Sequence, residues 1–294
     1  MGIALSPEQR EQFESNGYLL VPGALGAQQV EELLAASLRL YRNENGDDGA
    51  NRSSVGEWWS LFHPTSDARQ AEGVHRWETR NVVVQDPSFL ELIDEPSVFP
   101  LVLDMLNENI FLMGSHLMVR HRAPLSAEEL ARTPLGWHRD VGTSPLDMAE
   151  PHPRISVKVA YWLTALSGPG QGAMRVVPGS HRLIGKPAVD PATNQPYGAI
   201  EILAEPGDAL IFEQRLWHAG APNTSDQPRI CLFFAYGYRW LRPQDYREMP
   251  PALLERVSPV RRQLLGATET LTGYHLPTPA DVPLRAWVAA YPDG

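Results

Sequence analysis

The chain has one cysteine, Cys231, in 294 residues. That excludes an internal disulfide, a cysteine-built zinc module and an iron–sulfur cluster. Lysine is nearly as scarce: all but two of the 25 basic residues are arginine, the exceptions being Lys158 and Lys186. The 35 acidic residues outnumber the basic ones to give a net charge of −10, which excludes the broad basic footprint of a nucleic-acid binder. No apolar run reaches the roughly 18–20 residues of a membrane span. Met1 to Arg10 lacks a basic-then-apolar leader pattern. A cytoplasmic protein with a small-molecule partner, and with no nucleic-acid or membrane partner, is therefore expected; the oligomeric state stays open. Glycine-rich phosphate loops, a dinucleotide fingerprint and a nucleophile elbow are also missing, which argues against kinase-like, Rossmann and α/β-hydrolase chemistry. No internal repeat is visible.

Histidine, by contrast, is plentiful, with nine residues. A side-chain metal site here must use imidazole and carboxylate, a set that suits iron, manganese, zinc or nickel. The N-terminal third reads as helical support. Ser6-Pro7-Glu8-Gln9 is a helix start with a capping pattern. Tyr18 to Val21 reads as a short strand ended by Pro22-Gly23, and Ala27 to Tyr41 carries an imperfect helical stripe. Asn43 to Ser54 is a polar loop. Trp58, Trp59, Phe62, His63, His75 and Trp77 form an aromatic-rich stretch, expected to be local packing or the wall of a substrate pocket. Helical pieces are expected at Pro87–Ile93 and Ser97–Leu106.

From Ile110 the pattern changes to short apolar runs separated by Gly/Pro turns: Phe111–Arg122, Ile155–Thr164, Gly172–Val177, Ala199–Leu203, Ala209–Phe212 and Ile230–Tyr238. Such spacing predicts an antiparallel sandwich or barrel. Beyond it, Pro251 to Leu265 reads as one helix, and the Pro-rich tail to Gly294 as part of a cap.

The strongest chemical signal is Gly136-Trp137-His138-Arg139-Asp140. In extended backbone, residues two apart share a face, so His138 and Asp140 can serve one metal while Arg139 points away. About eighty residues later comes Leu216-Trp217-His218, followed by a loop and Arg229. A hairpin there would return Arg229 to the level of His218. Two histidines and a carboxylate make a facial triad with open positions, and a guanidinium nearby can grip a carboxylate bidentately. The remaining histidines, His63, His75, His116, His152, His181 and His275, show no ligand spacing, and Cys231 reads as a small core residue.

His138-x-Asp140, His218 and Arg229 together resemble the iron(II)- and 2-oxoglutarate-dependent oxygenases. More narrowly they resemble the phytanoyl-CoA dioxygenase family. Further stretches carry the same resemblance: EQFESNGYLL at Glu11–Leu20, Tyr161-Trp162-Leu163, Val177-Pro178-Gly179-Ser180-His181-Arg182, and Pro206-Gly207-Asp208. The resemblance covers roughly residues 8 to 240. It implies a mainly β fold, a double-stranded β-helix (jelly-roll, cupin-like) core with flanking α-helices. The chain then reads as one domain: residues 1–109 as N-terminal support, 110–240 as the catalytic core and 241–294 as a helical cap.

The resemblance also implies roles. His138, Asp140 and His218 would bind Fe(II), with 2-oxoglutarate and O2 as co-substrates, and Arg229 would pair with the distal carboxylate of 2-oxoglutarate. On the strand before the metal motif, the face of Leu117, Val119 and His121 is read as turned toward the cofactor, with His121 as a contact. Trp162 is a further cofactor-side residue. Two features depart from the family pattern. Leu125 to Leu135 is insertion-like, and Ala219-Gly220 follows the distal histidine where some members carry a cofactor-holding serine. Lys158 is read either as a substrate contact or as a strand-end residue reaching solvent.

The implied activity is oxidation of a small metabolite, natural-product tailoring included. Hydroxylation, or desaturation, epoxidation or cyclisation, is implied rather than halogenation, because halogenating relatives lack the carboxylate that Asp140 provides. The acidic charge weighs against a CoA ester, and loops 43–77, 125–135 and 183–197 are expected to select the substrate. Two alternatives stand beside this reading: a cupin-like mononuclear metalloenzyme that does not use 2-oxoglutarate, and a non-catalytic jelly-roll binding module.

Overall fold

The computed structural model describes residues 5–45, 76–123, 125–140 and 150–290. The loop after Asn43 and the aromatic residues Trp58, Trp59, Phe62, His63 and His75 lie wholly or largely outside the described residues. In chain order the helices are α1 (Pro7–Asn16), α2 (Ala27–Asn45), α3 (Pro87–Glu91), α4 (Phe99–Leu106), α5 (Ala127–Arg132), α6 (Pro251–Leu254), α7 (Pro259–Leu264) and α8 (Leu284–Ala290). The strands are β1 (Tyr18–Val21), β2 (Arg76–Arg80), β3 (Ile110–Arg120), β4 (Ser156–Trp162), β5 (Met174–Val176), β6 (Val189–Asp190), β7 (Gln195–Pro196), β8 (Ile200–Ile202), β9 (Ala209–Glu213), β10 (His218–Gly220) and β11 (Arg229–Tyr238). Among the described residues no helix is long and apolar enough to cross a membrane.

Six strands form the main sheet in the order β1-β9-β4-β11-β3-β2, all neighbours antiparallel. A smaller sheet, β10-β5-β8, packs on it. The two layers together give the jelly-roll core. Because side chains alternate along a strand, each strand of the main sheet feeds two interiors. Val157, Val159, Tyr161, Ile230, Leu232, Phe234, Leu117 and Val119 pack outward under the helices. Met118, Ala160, Trp162, Leu210, Phe212, Cys231 and Phe233 pack inward against Met174, Val176 and Ile202 of the small sheet.

The N-terminal support forms for local reasons. Ser6 Oγ accepts from the Gln9 backbone N–H at 3.2 Å, and the Gln9 side chain accepts from the Ser6 N–H at 2.9 Å, a reciprocal cap for α1. The helix stops at Gly17 with φ +80°. Further along, the Pro206-Gly207-Asp208 turn is a hub. Gly207 has φ +97°, and a Cβ there would meet the Leu25 carbonyl oxygen at 2.6 Å. Asp208 accepts from the Gly23 and Glu205 N–H groups at 2.8 and 2.9 Å.

Several expectations change. Residues 251–265 form two helices, not one: Ser258 starts a new helix by accepting from the Arg261 N–H at 3.2 Å, with Pro259 in the first helical turn. Proline has no N–H to continue the preceding helix. In the tail, α8 appears beyond the Pro-rich stretch. The segment after His218 is not a hairpin. β10 belongs to the small sheet and β11 to the main sheet, so residues 221–228 carry the chain across the sandwich. Arg229 opens β11 in the main sheet, opposite Arg120 of β3.

Candidate active site

The metal motif lies at the edge of the small sheet. His138 and His218 exchange both backbone hydrogen bonds, N–H to carbonyl at 3.0 Å each way, in an isolated antiparallel bridge. The Asp140 N–H donates to the Gln214 carbonyl at 2.8 Å. The extended segment is thus pinned on both sides, and His138 and Asp140 fall on one face as their spacing requires. Arg139 turns away, pairs with Glu150 and lies over the Trp217 ring at 5.3 Å. Ahead of His218, the Pro-Gly-Ser-His turn fixes the approach: Ser180 Oγ accepts from the Trp217 N–H at 2.9 Å. His181 completes the tie to α1, its Nε2 standing 3.1 Å from the Glu14 carbonyl.

The three side chains converge. His138 Nε2 stands 3.6 Å from Asp140 Oδ1, and His218 Nε2 stands 3.7 Å from Asp140 Oδ2. One donor atom from each residue falls within 4.8 Å of the others. Each Nδ1 faces a backbone carbonyl, Gly136 at 2.7 Å for His138 and Leu216 at 2.9 Å for His218. Donation from Nδ1–H to those carbonyls leaves both Nε2 lone pairs aimed at the shared centre, the arrangement that metal-binding histidines use. Burial, with His138 next to it, lowers the His218 pKa to about 4, so this imidazole is a neutral donor near pH 7. Partial desolvation opposes protonation of the half-exposed His138 ring, but Asp140 outweighs it and raises that group above its ordinary value. Burial works against the Asp140 charge as well, yet Lys158 and the two histidines hold its carboxyl well below the usual range. The donor set therefore suits a divalent cation with nitrogen and oxygen preferences.

Lys158 is part of this centre. It sits on the inward face of β4, and its Nζ lies 2.9 Å from Asp140 Oδ2. The other reading, a strand end reaching solvent, does not describe it.

Arg229 is buried, with its guanidinium 4.7 Å from the Trp162 ring centroid and 5.6 Å from that of Phe233. Trp162 is fully buried, so it acts here as a cation–π wall for Arg229. His121 and its face are displaced from the reading above. The inward face of β3 holds His116, Met118 and Arg120, which pair in register with Phe233, Cys231 and Arg229. Leu117 and Val119 face the helices, and His121 packs beside Tyr41 of α2 at 5.2 Å. The assignment was one residue out of register, and a one-residue slip moves every side chain to the opposite face.

Two inward residues escaped the sequence reading. His116 stacks on Phe233 at 4.7 Å, and burial, followed by the charges of Arg80 and Lys158, lowers its pKa well below the ordinary value. Arg120 lies directly across from Arg229. Asn223 is a third addition. It is buried and donates to the Arg120 carbonyl at 3.0 Å and the Gln227 carbonyl at 2.8 Å, which fixes the crossing loop. Cys231 behaves as expected, with burial pushing its thiol up to about 12.

His138, Asp140 and His218 form a candidate mononuclear metal site on a jelly-roll core that also buries Arg229. Comparison with known proteins agrees. The phytanoyl-CoA dioxygenase (PhyH) family model matches residues 13–231. The chain belongs to that family. An uncharacterized protein of Mycobacterium tuberculosis is 26% identical over 196 residues, covering 64% of this chain and 66% of that protein, just under two thirds of its length. A probable phytanoyl-CoA dioxygenase of Caenorhabditis elegans is 24% identical over 252 residues, covering 80% of this chain and 76% of the relative. HygX from Streptomyces hygroscopicus, solved with nickel, 2-oxoglutarate and hygromycin B, superposes with a TM-score of 0.59 at 18% identity, covering 83% of this chain and 91% of that one.

Proposed function

We propose that this protein is an Fe(II)- and 2-oxoglutarate-dependent dioxygenase that hydroxylates a small-molecule metabolite. The observation that carries the reading is the convergence of His138, Asp140 and His218 with both Nε2 atoms oriented by backbone carbonyls. In this reading the three side chains hold iron, and Arg229 receives the distal carboxylate of 2-oxoglutarate. Bound iron with 2-oxoglutarate supplies O2 activation: substrate C–H, O2 and 2-oxoglutarate give C–OH, succinate and CO2. The chain's own residues supply the rest. The carbonyls of Gly136 and Leu216 fix the imidazole tautomers. Asp140 contributes the negative charge that a divalent cation requires, in the position that halogenating relatives leave without a carboxylate. Trp162 and Phe233 keep the Arg229 fork in one orientation, so little rotamer freedom is lost when a carboxylate arrives.

The substrate is read as apolar or amphipathic. The excursion from Leu183 to Leu203 exposes Ile184 (73%) and Tyr197 (58%), together with Leu183 and Val189. It reaches the metal motif through Trp137 Nε1, which donates to Gln195 Oε1 at 2.9 Å. Natural-product tailoring is a setting that suits such a substrate.

The test is a screen of apolar metabolites with anaerobically loaded Fe(II) enzyme, measuring succinate against oxidised product. Equal amounts of succinate and a product heavier by one oxygen atom are expected. Asp140→Ala should lose metal affinity by roughly 100-fold or more, beyond what loss of a supporting outer partner costs, and coupled turnover with it. An Asp140→Ala protein that keeps full coupled turnover would sink the reading.

A further inference from the structure

The position two residues past His218 is Gly220, at the end of β10 on the same face as the ligand. It is a glycine with a specific neighbour. A Cβ built there would lie 2.0 Å from Arg120 Nη2 and 2.7 Å from Arg120 Cζ. The Arg120 guanidinium therefore occupies the space that any side chain at 220 would need. Its Nη1 also reaches the Ala221 carbonyl at 3.4 Å. The stem of Arg120 and the Cβ of Arg229 both border Gly172, each 3.5 Å from where its Cβ would stand. Arg120 and Arg229 are directly opposite across the β3–β11 ladder, and both are buried.

We propose that Arg120 is a second residue for the distal carboxylate of the 2-oxo acid, acting with Arg229 from the neighbouring strand. The inference rests on the 2-oxoglutarate reading above and deepens it. A carboxylate reached from both strands can accept charge-assisted hydrogen bonds from both guanidinium groups. The location fits a five-carbon diacid whose other end is at the metal. One two-residue step along β10 from His218 is about 6.6 Å. Gly220 then has a clear purpose, because it admits the Arg120 fork where a side chain would block it.

The experiment is calorimetric titration of Mn(II)-loaded protein with two probes, 2-oxoglutarate and 2-oxopentanoate, which has the same chain length but no distal carboxylate. Arg120→Met should weaken 2-oxoglutarate binding by about 10- to 100-fold, the cost of one charge-assisted contact, and leave 2-oxopentanoate binding unchanged. Arg120→Lys keeps the charge without the fork and should show a smaller loss, again confined to 2-oxoglutarate. Arg120→Met combined with Gly220→Ser places a hydroxyl donor in the vacated space and should recover part of the affinity. If wild type binds 2-oxoglutarate and Arg120→Met binds it equally well, the inference is overturned. It is also overturned if both probes weaken together, since Arg120 would then be structural. If wild type binds neither metal nor 2-oxoglutarate, the underlying functional reading fails instead.

Discussion

The two faces of the main sheet are made by the same strands and do opposite things. The outward face of β3, β4 and β11 is Leu117, Val119, Val157, Val159, Tyr161, Ile230, Leu232 and Phe234. It seals the helical layer by area alone. The inward face of those strands holds His116, Met118, Arg120, Lys158, Trp162, Arg229, Cys231 and Phe233. Charge is concentrated on one side because a buried cation is tolerated only beside a carboxylate, an aromatic face or a bound anion. Asp140 is that companion for Lys158, and Trp162 and Phe233 are for Arg229. Stability and chemistry are thus separated by a single residue step along each strand.

That separation can be broken on purpose. The largest effect is expected outside the site. Phe234→Ala on the outward face should cost about 3–5 kcal/mol of unfolding free energy, read by urea denaturation, while the folded fraction keeps the metal affinity of wild type. If metal affinity falls in proportion, the two faces are not independent. On the inward face, Lys158→Met removes the ammonium 2.9 Å from Asp140. It should weaken Mn(II) binding about 10- to 100-fold, as loss of an outer-shell partner does, with Lys158→Arg restoring most of it. Tighter binding in Lys158→Met would show instead that the ammonium acts only as a competing positive charge. The smallest effect is expected at the periphery. Ser6→Ala removes the α1 cap and should lower stability by about 1 kcal/mol, seen as a small shift in thermal unfolding with no change in metal affinity.

Much of this arrangement was legible without coordinates. The capping pattern at Ser6, seven of the strands and the His138/Asp140/His218 set all follow from local chemistry: turn residues, alternation, and the two-residue spacing of ligands. The short strands β2, β6, β7 and β10 were not legible, because none shows enough alternation in sequence to register as a strand. The inward identity of Arg120 was not legible either. Alternation shows that neighbours on β3 face opposite ways, but it does not say which set faces in. Both sets contain residues that read as plausible pocket side chains, His121 in one and Arg120 in the other.

The sequence by itself determined the donor set, the exclusion of thiolate chemistry and the family, since these depend on residue types at short spacings and on linked motifs. Tertiary structure alone decided which residues surround that set. Lys158 reaches Asp140 and Arg120 lies against Gly220 because two sheets from distant parts of the chain face each other, and Trp162 walls Arg229 because β4 and β11 are neighbours in one sheet. Such contacts come from strand register and sheet packing, which no single segment specifies.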